Sequence, residues 1–355
     1  MKFSPVTRLH PRITRGERPV KVLCIGGTGV ISTAVVDLAL AHGYSVTILN
    51  RGSTTERPPA ARAEVVQADI RKPDEVRAAL GNRMFDVVVD FVAFTPDHVA
   101  ADIELFAGRT GQYVFISSAS AYQKPPASLP IRESTPLRNP YWQYSRDKIA
   151  CEDLLVGAYR EQGFPITIVR PSHTYDHTKI AITGGWTDIA RMRAGRPVLV
   201  HGDGTSLWTL THSTDFAKAF VGLLGLPQAI GDSFTITSDE FLPWNRIYQI
   251  FAEAAGAPEP ELVHVASETI AAHLPDLGPQ LVGDKSHSVI FDNSKVKALV
   301  PGFVCTTPFA LGAREILAWY DADPNRQQVD SELDAGFDRI IDAARSQIAG
   351  VTTGS

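Results

Sequence analysis

Tyr144 and Lys148 stand four residues apart, and a serine pair, Ser117-Ser118, lies upstream; these side chains suit proton transfer at an alcohol or ketone. On a helix, positions i and i+4 share a face, so phenol and ammonium can approach one bound molecule from the same side. A free phenol ionises near pH 10, too high for a base at neutral pH, and a neighbouring ammonium with a cationic nicotinamide lowers that value. In this arrangement Tyr144 takes the proton of the alcohol as hydride leaves the carbon. Lys148 supplies the positive field and can hold the nicotinamide ribose, and Ser118 hydrogen-bonds the developing carbonyl oxygen.

Such chemistry needs a dinucleotide, and the stretch that can hold one is residues 22–32, VLCIGGTGVIS. Four apolar residues predict a strand buried on both faces. Gly26, Gly27 and Gly29 then predict a tight turn, and residues 32–42 are helical in pattern before Gly43. Strand, glycine turn and helix N-terminus together form an anion site suited to a pyrophosphate, with Thr28, Val30 and Ile31 beside it. The spacing is Gly-x-x-Gly-x-x-Ser, so Ser32 replaces the third glycine at a position that serves only close packing.

Further strands are predicted over residues 44–49, 65–70, 86–94, 112–118 and 166–170, with helices between them, over 74–80 and from Tyr144 to about residue 160 among them. This alternation predicts a doubly wound parallel sheet of α/β class. The second strand ends in Asn50-Arg51-Gly52 with no carboxylate. Arg51 tilts the cofactor choice toward NADP, while Asn50 can hold the plain ribose of NAD. Asp69 and Ile70 fall where an adenine would lie, with Asp69 equally suited to capping a turn. The fourth strand should pass beside the nicotinamide, at Ala93.

At 355 residues and 44% hydrophobic content the chain can bury a large core, and a net charge of −5 without long runs gives no support to binding of nucleic acid or a membrane surface. Residues 1–19 read as a loose leader, without the apolar stretch of a signal peptide. The three cysteines, Cys24, Cys151 and Cys305, are far apart, which argues against a disulfide framework and fits a cytoplasmic setting. His173 and His177 lack a third partner at helical spacing, so no metal site is expected.

The order Gly26-x-x-Gly29, Ser118, Tyr144-x-x-x-Lys148, Arg170-Pro171, Gly202-Asp203-Gly204 and Thr211-His212-Ser213-Thr214-Asp215 resembles the extended short-chain dehydrogenase/reductases. More narrowly, it is similar to the NAD-dependent epimerase/dehydratase group acting on sugars, over about residues 20–320. The resemblance implies a catalytic Ser118, Tyr144 and Lys148, and a Rossmann-type domain over residues 20–175, completed by segments near 205–240 and 288–300. It also implies a smaller C-terminal substrate domain from 176–204, 241–287 and 301–325; residues 326–355 add a helix and tail. Pro171 joins the cofactor contacts. Ser120, His173, Tyr175, Trp186 and Trp208 are expected to line the substrate pocket, and a homodimer through the helices flanking residues 150–159 follows by analogy.

Three departures shape the expected activity. Sugar 4,6-dehydratases of the family carry an acidic pair after the catalytic hydroxyl, where this chain has Ala119 and Ser120, so dehydration is disfavoured. The arginine that grips a diphosphate after Gly-Asp-Gly is replaced by Ser206-Leu207-Trp208, leaving Arg191, Arg193 and Arg196 as substitutes or as plain surface. Phe91 and Phe94 bring two rings toward the nicotinamide. The leading expectation is an epimerase of a sugar or sugar nucleotide working through a transient keto intermediate. An NADP-linked reductase or dehydrogenase of a sugar-like carbonyl follows, and then a non-catalytic cofactor- or RNA-binding member of the superfamily.

Overall fold

The computed structural model describes residues 18–53 and 57–352, so most of the leader expected over residues 1–19 lies outside the described residues. The apolar runs form β1 (Lys21–Ile25), β2 (Ser45–Asn50), β3 (Glu64–Gln67), β4 (Val87–Asp90), β5 (Tyr113–Ile116) and β6 (Ile166–Pro171). With the strand Asp232–Ile236 they make one seven-stranded parallel sheet, ordered Asp232–Ile236, β6, β5, β4, β1, β2, β3. The chain leaves β1 toward β2 on one side and resumes at β4 on the other. A crevice for a ligand opens where strand order reverses in this way, at the carboxyl ends.

The unbroken apolar sequence of β1 is divided by the pleat. Val22 and Cys24 enter one core with Val35, Val36 and Ala39 of α1 (Val30–Ala41) and with Phe216 and Phe220 of the helix Ser213–Leu223. Leu23 and Ile25 face the opposite way. There they meet Val76 of α2 (Pro73–Leu80), Val99 of α3 (Pro96–Phe106) and Leu155 of α4 (Gln143–Gln162). Layers of helix on both faces therefore hold the sheet, as the α/β reading expects.

Two elements differ from expectation. The strand expected over residues 86–94 stops at Asp90, whose buried carboxylate accepts the amides of Val92 and Ala93 and so folds the backbone out of the ladder. Residues 173–175, part of a stretch over residues 173–186 whose composition suits a loop, form a short strand paired in parallel with Leu210–His212. A third apolar core gathers Trp208, Trp244, Tyr248, Ile189 and Phe309 beyond the main sheet. No helix among the described residues is long and apolar enough to cross a membrane.

Candidate active site

The glycine turn takes the shape its composition requires. Gly26 and Gly27 have φ of +105° and +47°, and an ideal Cβ at Gly27 would sit 2.5 Å from Ile48 Cγ2. Any side chain there is therefore both strained and blocked. Gly29 caps α1 in an extended conformation, and its N–H donates to Ser32 Oγ at 2.7 Å. Ser32 thus does more than permit close packing, because its hydroxyl closes the turn. The first-turn amides of α1 have no intrahelical acceptor and remain for an anion.

Above the turn lies a cavity of about 570 Å³ lined by Gly26, Thr28, Gly29, Val30, Ile31, Asn50, Arg51, Asp69 and Ile70. The structure thus brings together the expected cofactor residues except Ala93, Lys148 and Pro171. Asn50 Oδ1 accepts from Gly52 N–H at 3.0 Å, leaving its amide hydrogens as donors, and Asp69 Oδ1 accepts from Arg71 N–H at 3.0 Å. Arg57 and Arg71 also line the cavity and were not foreseen. No motif marks them; Arg57 reaches it by pairing with Asp176, 119 positions along the chain. A crevice at the carboxyl ends of the strands, beside a helix N-terminus and backbone that excludes side chains, fits a dinucleotide.

A second cavity of about 590 Å³ holds Ser118, Ser120, Tyr144, Lys148, Pro171, His173 and Trp208. Val30, Ile31, Phe91, Phe94 and Thr174 line both cavities, so the two chambers adjoin. Phe91 packs inward, its ring centroid 5.9 Å from that of Phe220, whereas Phe94 is exposed with Lys148 Nζ 4.8 Å from its ring centre. Ala93 lines neither cavity, and its carbonyl accepts Lys148 Nζ at 2.6 Å.

Tyr144 sits in the first turn of α4 and Lys148 one turn on, as the spacing predicts. Lys148 Nζ gives one N–H to Ala93 and another to the Ile116 carbonyl at 2.7 Å, which leaves one of its three for a ligand. Burial raises the Tyr144 phenol above its usual range, opposed by a hydrogen bond with Ser118. At neutral pH the resting side chain is therefore a proton donor. Ser118 continues a hydroxyl chain, since its Oγ lies 2.9 Å from Ser120 Oγ, which accepts from Ser145 Oγ at 2.8 Å. Ser120, expected to contact substrate, spends its hydroxyl in this chain.

Burial brings the Lys148 ammonium down to about 8, with the charges of Asp90 and Glu152 and the nearby Cys151 opposing and Arg71 adding to the effect. The cationic form is the one that favours a phenolate. Activity should therefore fall as pH rises through about 8. The kcat/KM for the cofactor, which reports the unliganded protein, is the quantity to follow; a flat profile to pH 10 would remove Lys148 from this role.

Two buried networks fix the strands beneath the site. Arg170 pairs with Glu152 through Nη2–Oε2 at 2.5 Å and Nε–Oε1 at 3.0 Å, while Ser117 donates to Glu152 and Arg170 Nη1 donates to the Tyr122 hydroxyl at 3.1 Å. Asp102 accepts from the Tyr113 hydroxyl at 2.6 Å and faces Asp90; burial and the Asp90 charge hold the Asp102 carboxyl well above the ordinary carboxylate range. Burial therefore favours the neutral form of Asp102, while the charge of Asp90 also acts on Lys148.

Two expected pocket residues are corrected. Tyr175 is fully buried, edge-on to Phe309 and His212, and Trp186 lies flat on Tyr320 at 5.1 Å with the Arg193 guanidinium 5.2 Å over its ring. Neither lines either cavity. His173 and His177 diverge onto Trp208 and Trp319, and no group of three metal-binding side chains gathers among the described residues. The three arginines are taken as well. Arg191 and Arg196 both bind Asp334 and Asp338 of the helix Ser331–Thr352, and Arg193 binds Asp321.

The sheet order and its glycine turn define an α/β protein of Rossmann type. The chain belongs to the NAD dependent epimerase/dehydratase family, whose sequence pattern matches residues 22–236, more than half of the chain's length. A 2'-dehydrokanamycin reductase of Streptomyces kanamyceticus is 27% identical over 294 residues, 81% of each chain. The chloroplast stem-loop binding protein of 41 kDa b of Arabidopsis thaliana is 28% identical over 256 residues, 69% of this chain but 65% of that relative. Among solved structures, UDP-glucose 4-epimerase of Bifidobacterium longum in complex with NAD+ and UDP superposes with a TM-score of 0.67 at 19% identity, covering 86% of this chain and all of the other.

Proposed function

We propose that the chain is an NAD(P)-dependent epimerase of a sugar or sugar-nucleotide hydroxyl. The observation that carries this reading is the meeting of Tyr144, Ser118 and Lys148 in one cavity that shares a wall with the glycine-turn cavity. The dinucleotide, when bound, accepts and returns the hydride. Tyr144, once ionised beside the Lys148 ammonium and the cationic nicotinamide, takes the substrate proton and gives it back, and Ser118 holds the carbonyl oxygen. Residues 20–175, with 205–240 and 288–300, hold the cofactor, and the remaining C-terminal segments hold the substrate. Three free thiols suit a cytoplasmic protein, and Leu154 and Tyr159, exposed on α4, suit a homodimer.

A one-way reductase is the second reading. It is favoured by the resting phenol form of Tyr144, by Arg51, and by likeness to a reductase along 81% of both chains. The test is to supply NAD+ or NADP+, or their reduced forms, with a panel of sugars and sugar nucleotides. Isomerised product with no net change at the nicotinamide band supports the epimerase, and steady loss or gain of that band supports the reductase. No turnover of any panel member by the cofactor-loaded protein counts against both.

Arg51 should set the dinucleotide preference. Its change to alanine is expected to weaken NADPH binding roughly tenfold, the worth of one charge-assisted contact, and to leave NADH unchanged. Fluorescence titration of both reduced cofactors decides this, and equal responses would remove the NADP preference.

A further inference from the structure

The second cavity carries positive charge that the alcohol chemistry does not use. Lys179, on the loop after His173–Tyr175, and Lys285, in the segment Leu281–Lys285, both line it. Lys285 feels the charge of Lys179, and His173 feels both. Asp284 lines the same cavity and its charge reaches Lys285, but it pairs with Lys124 at 2.8 Å; Asp176, whose charge reaches Lys179, pairs with Arg57 at 2.8 Å. Lys285 itself donates to the uncharged Gln280 amide oxygen.

His173 completes the cluster as a neutral donor. The Trp208 indole N–H donates to His173 Nδ1 at 3.0 Å, so Nδ1 carries no proton and the hydrogen resides on Nε2. Protonation would set one N–H against another. Among the described residues, two ammonium groups and one N–H line this chamber against a single carboxylate, Asp284, that is already paired with Lys124, so the lining carries an excess of positive charge.

We infer that Lys179, Lys285 and His173 receive an anionic substituent of the substrate, a carboxylate or a phosphate. This rests on reading the second cavity as the substrate chamber. The same charge repels amino sugars, which carry ammonium groups of their own. It also assigns to lysines the work that Arg191, Arg193 and Arg196 cannot do while they hold Asp321, Asp334 and Asp338.

The test is isothermal titration of the full chain saturated with NADH or NADPH, which keeps anions out of the first cavity, using inorganic pyrophosphate, D-glucuronate and neutral methyl glucoside. At least one anion should bind more tightly than the neutral sugar and weaken with added salt. Lys179→Met and Lys285→Met should each weaken it roughly tenfold or more, the value of a hydrogen bond to a charged group. The Lys179 side chain is exposed, so its variant reports on the site independently of folding. Binding of pyrophosphate alone identifies a phosphate site, and of glucuronate alone a carboxylate site. Neutral sugar binding as tightly as both anions, or undiminished anion binding by Lys179→Met, overturns the inference. If neither reduced dinucleotide binds while an anion does, the anion site stands and the proposed enzyme falls.

Discussion

Replacing Tyr144 with phenylalanine is expected to lower turnover about a thousandfold, within the range for loss of a positioned acid–base group, while cofactor affinity stays within about twofold. The removed atom is the phenol oxygen hydrogen-bonded to Ser118, and the ring remains against Trp142, whose centroid lies 4.9 Å away. Packing is therefore preserved and the loss reports chemistry. The measurement is kcat on whichever panel sugar turns over, beside NADPH and NADH titrations. A variant keeping more than about a tenth of wild-type turnover would end the acid–base role of this residue. If biological activity were untouched with cofactor still bound, the protein would work as a binder of cofactor or RNA.

The largest effect on stability is expected at Arg170. Its guanidinium is buried against an equally buried Glu152, with relative side-chain exposures of 7% and 3%, so neither partner has water to replace the other. Glu152 holds the Arg170 proton more firmly than in solution. Arg170→Met leaves Glu152 charged and without its cation beside Ser117, just past the end of β5, at a cost of about 3–5 kcal/mol. The melting temperature should fall by roughly 5–10 °C in calorimetry. Adding Glu152→Leu should restore most of it, because a well-packed apolar pair avoids the desolvation of both charges. A single variant that melts with the wild type would mean that solvent reaches Glu152.

Local pattern carried the sheet and the catalytic turn of α4. The run at residues 22–29 predicts strand and bend because each residue type there answers to its own backbone: apolar residues to a two-sided core, glycines to positive φ. Tyr144 and Lys148 were legible for a similar reason, since helical spacing alone places them on one face. What could not be read depends on partners far along the chain. Arg191 meets Asp338 across 147 positions, and nothing near either residue announces the pairing. Tyr175 and Trp186 are aromatic residues in a loop-like sequence, a composition that suits a pocket wall and a core equally, and the core claimed both. Lys285 has no motif, and its backbone carbonyl is held by His201, Ser206 and Trp244 from other segments.

The wall that Val30, Ile31, Phe91, Phe94 and Thr174 give to both chambers carries a kinetic consequence. Whatever fills the first chamber becomes part of the second chamber's surface, so the smaller molecule meets a complete floor only after the larger one is seated. On the epimerase reading proposed above, arrival and departure then follow a compulsory sequence, with one long-term tenant and a succession of brief visitors.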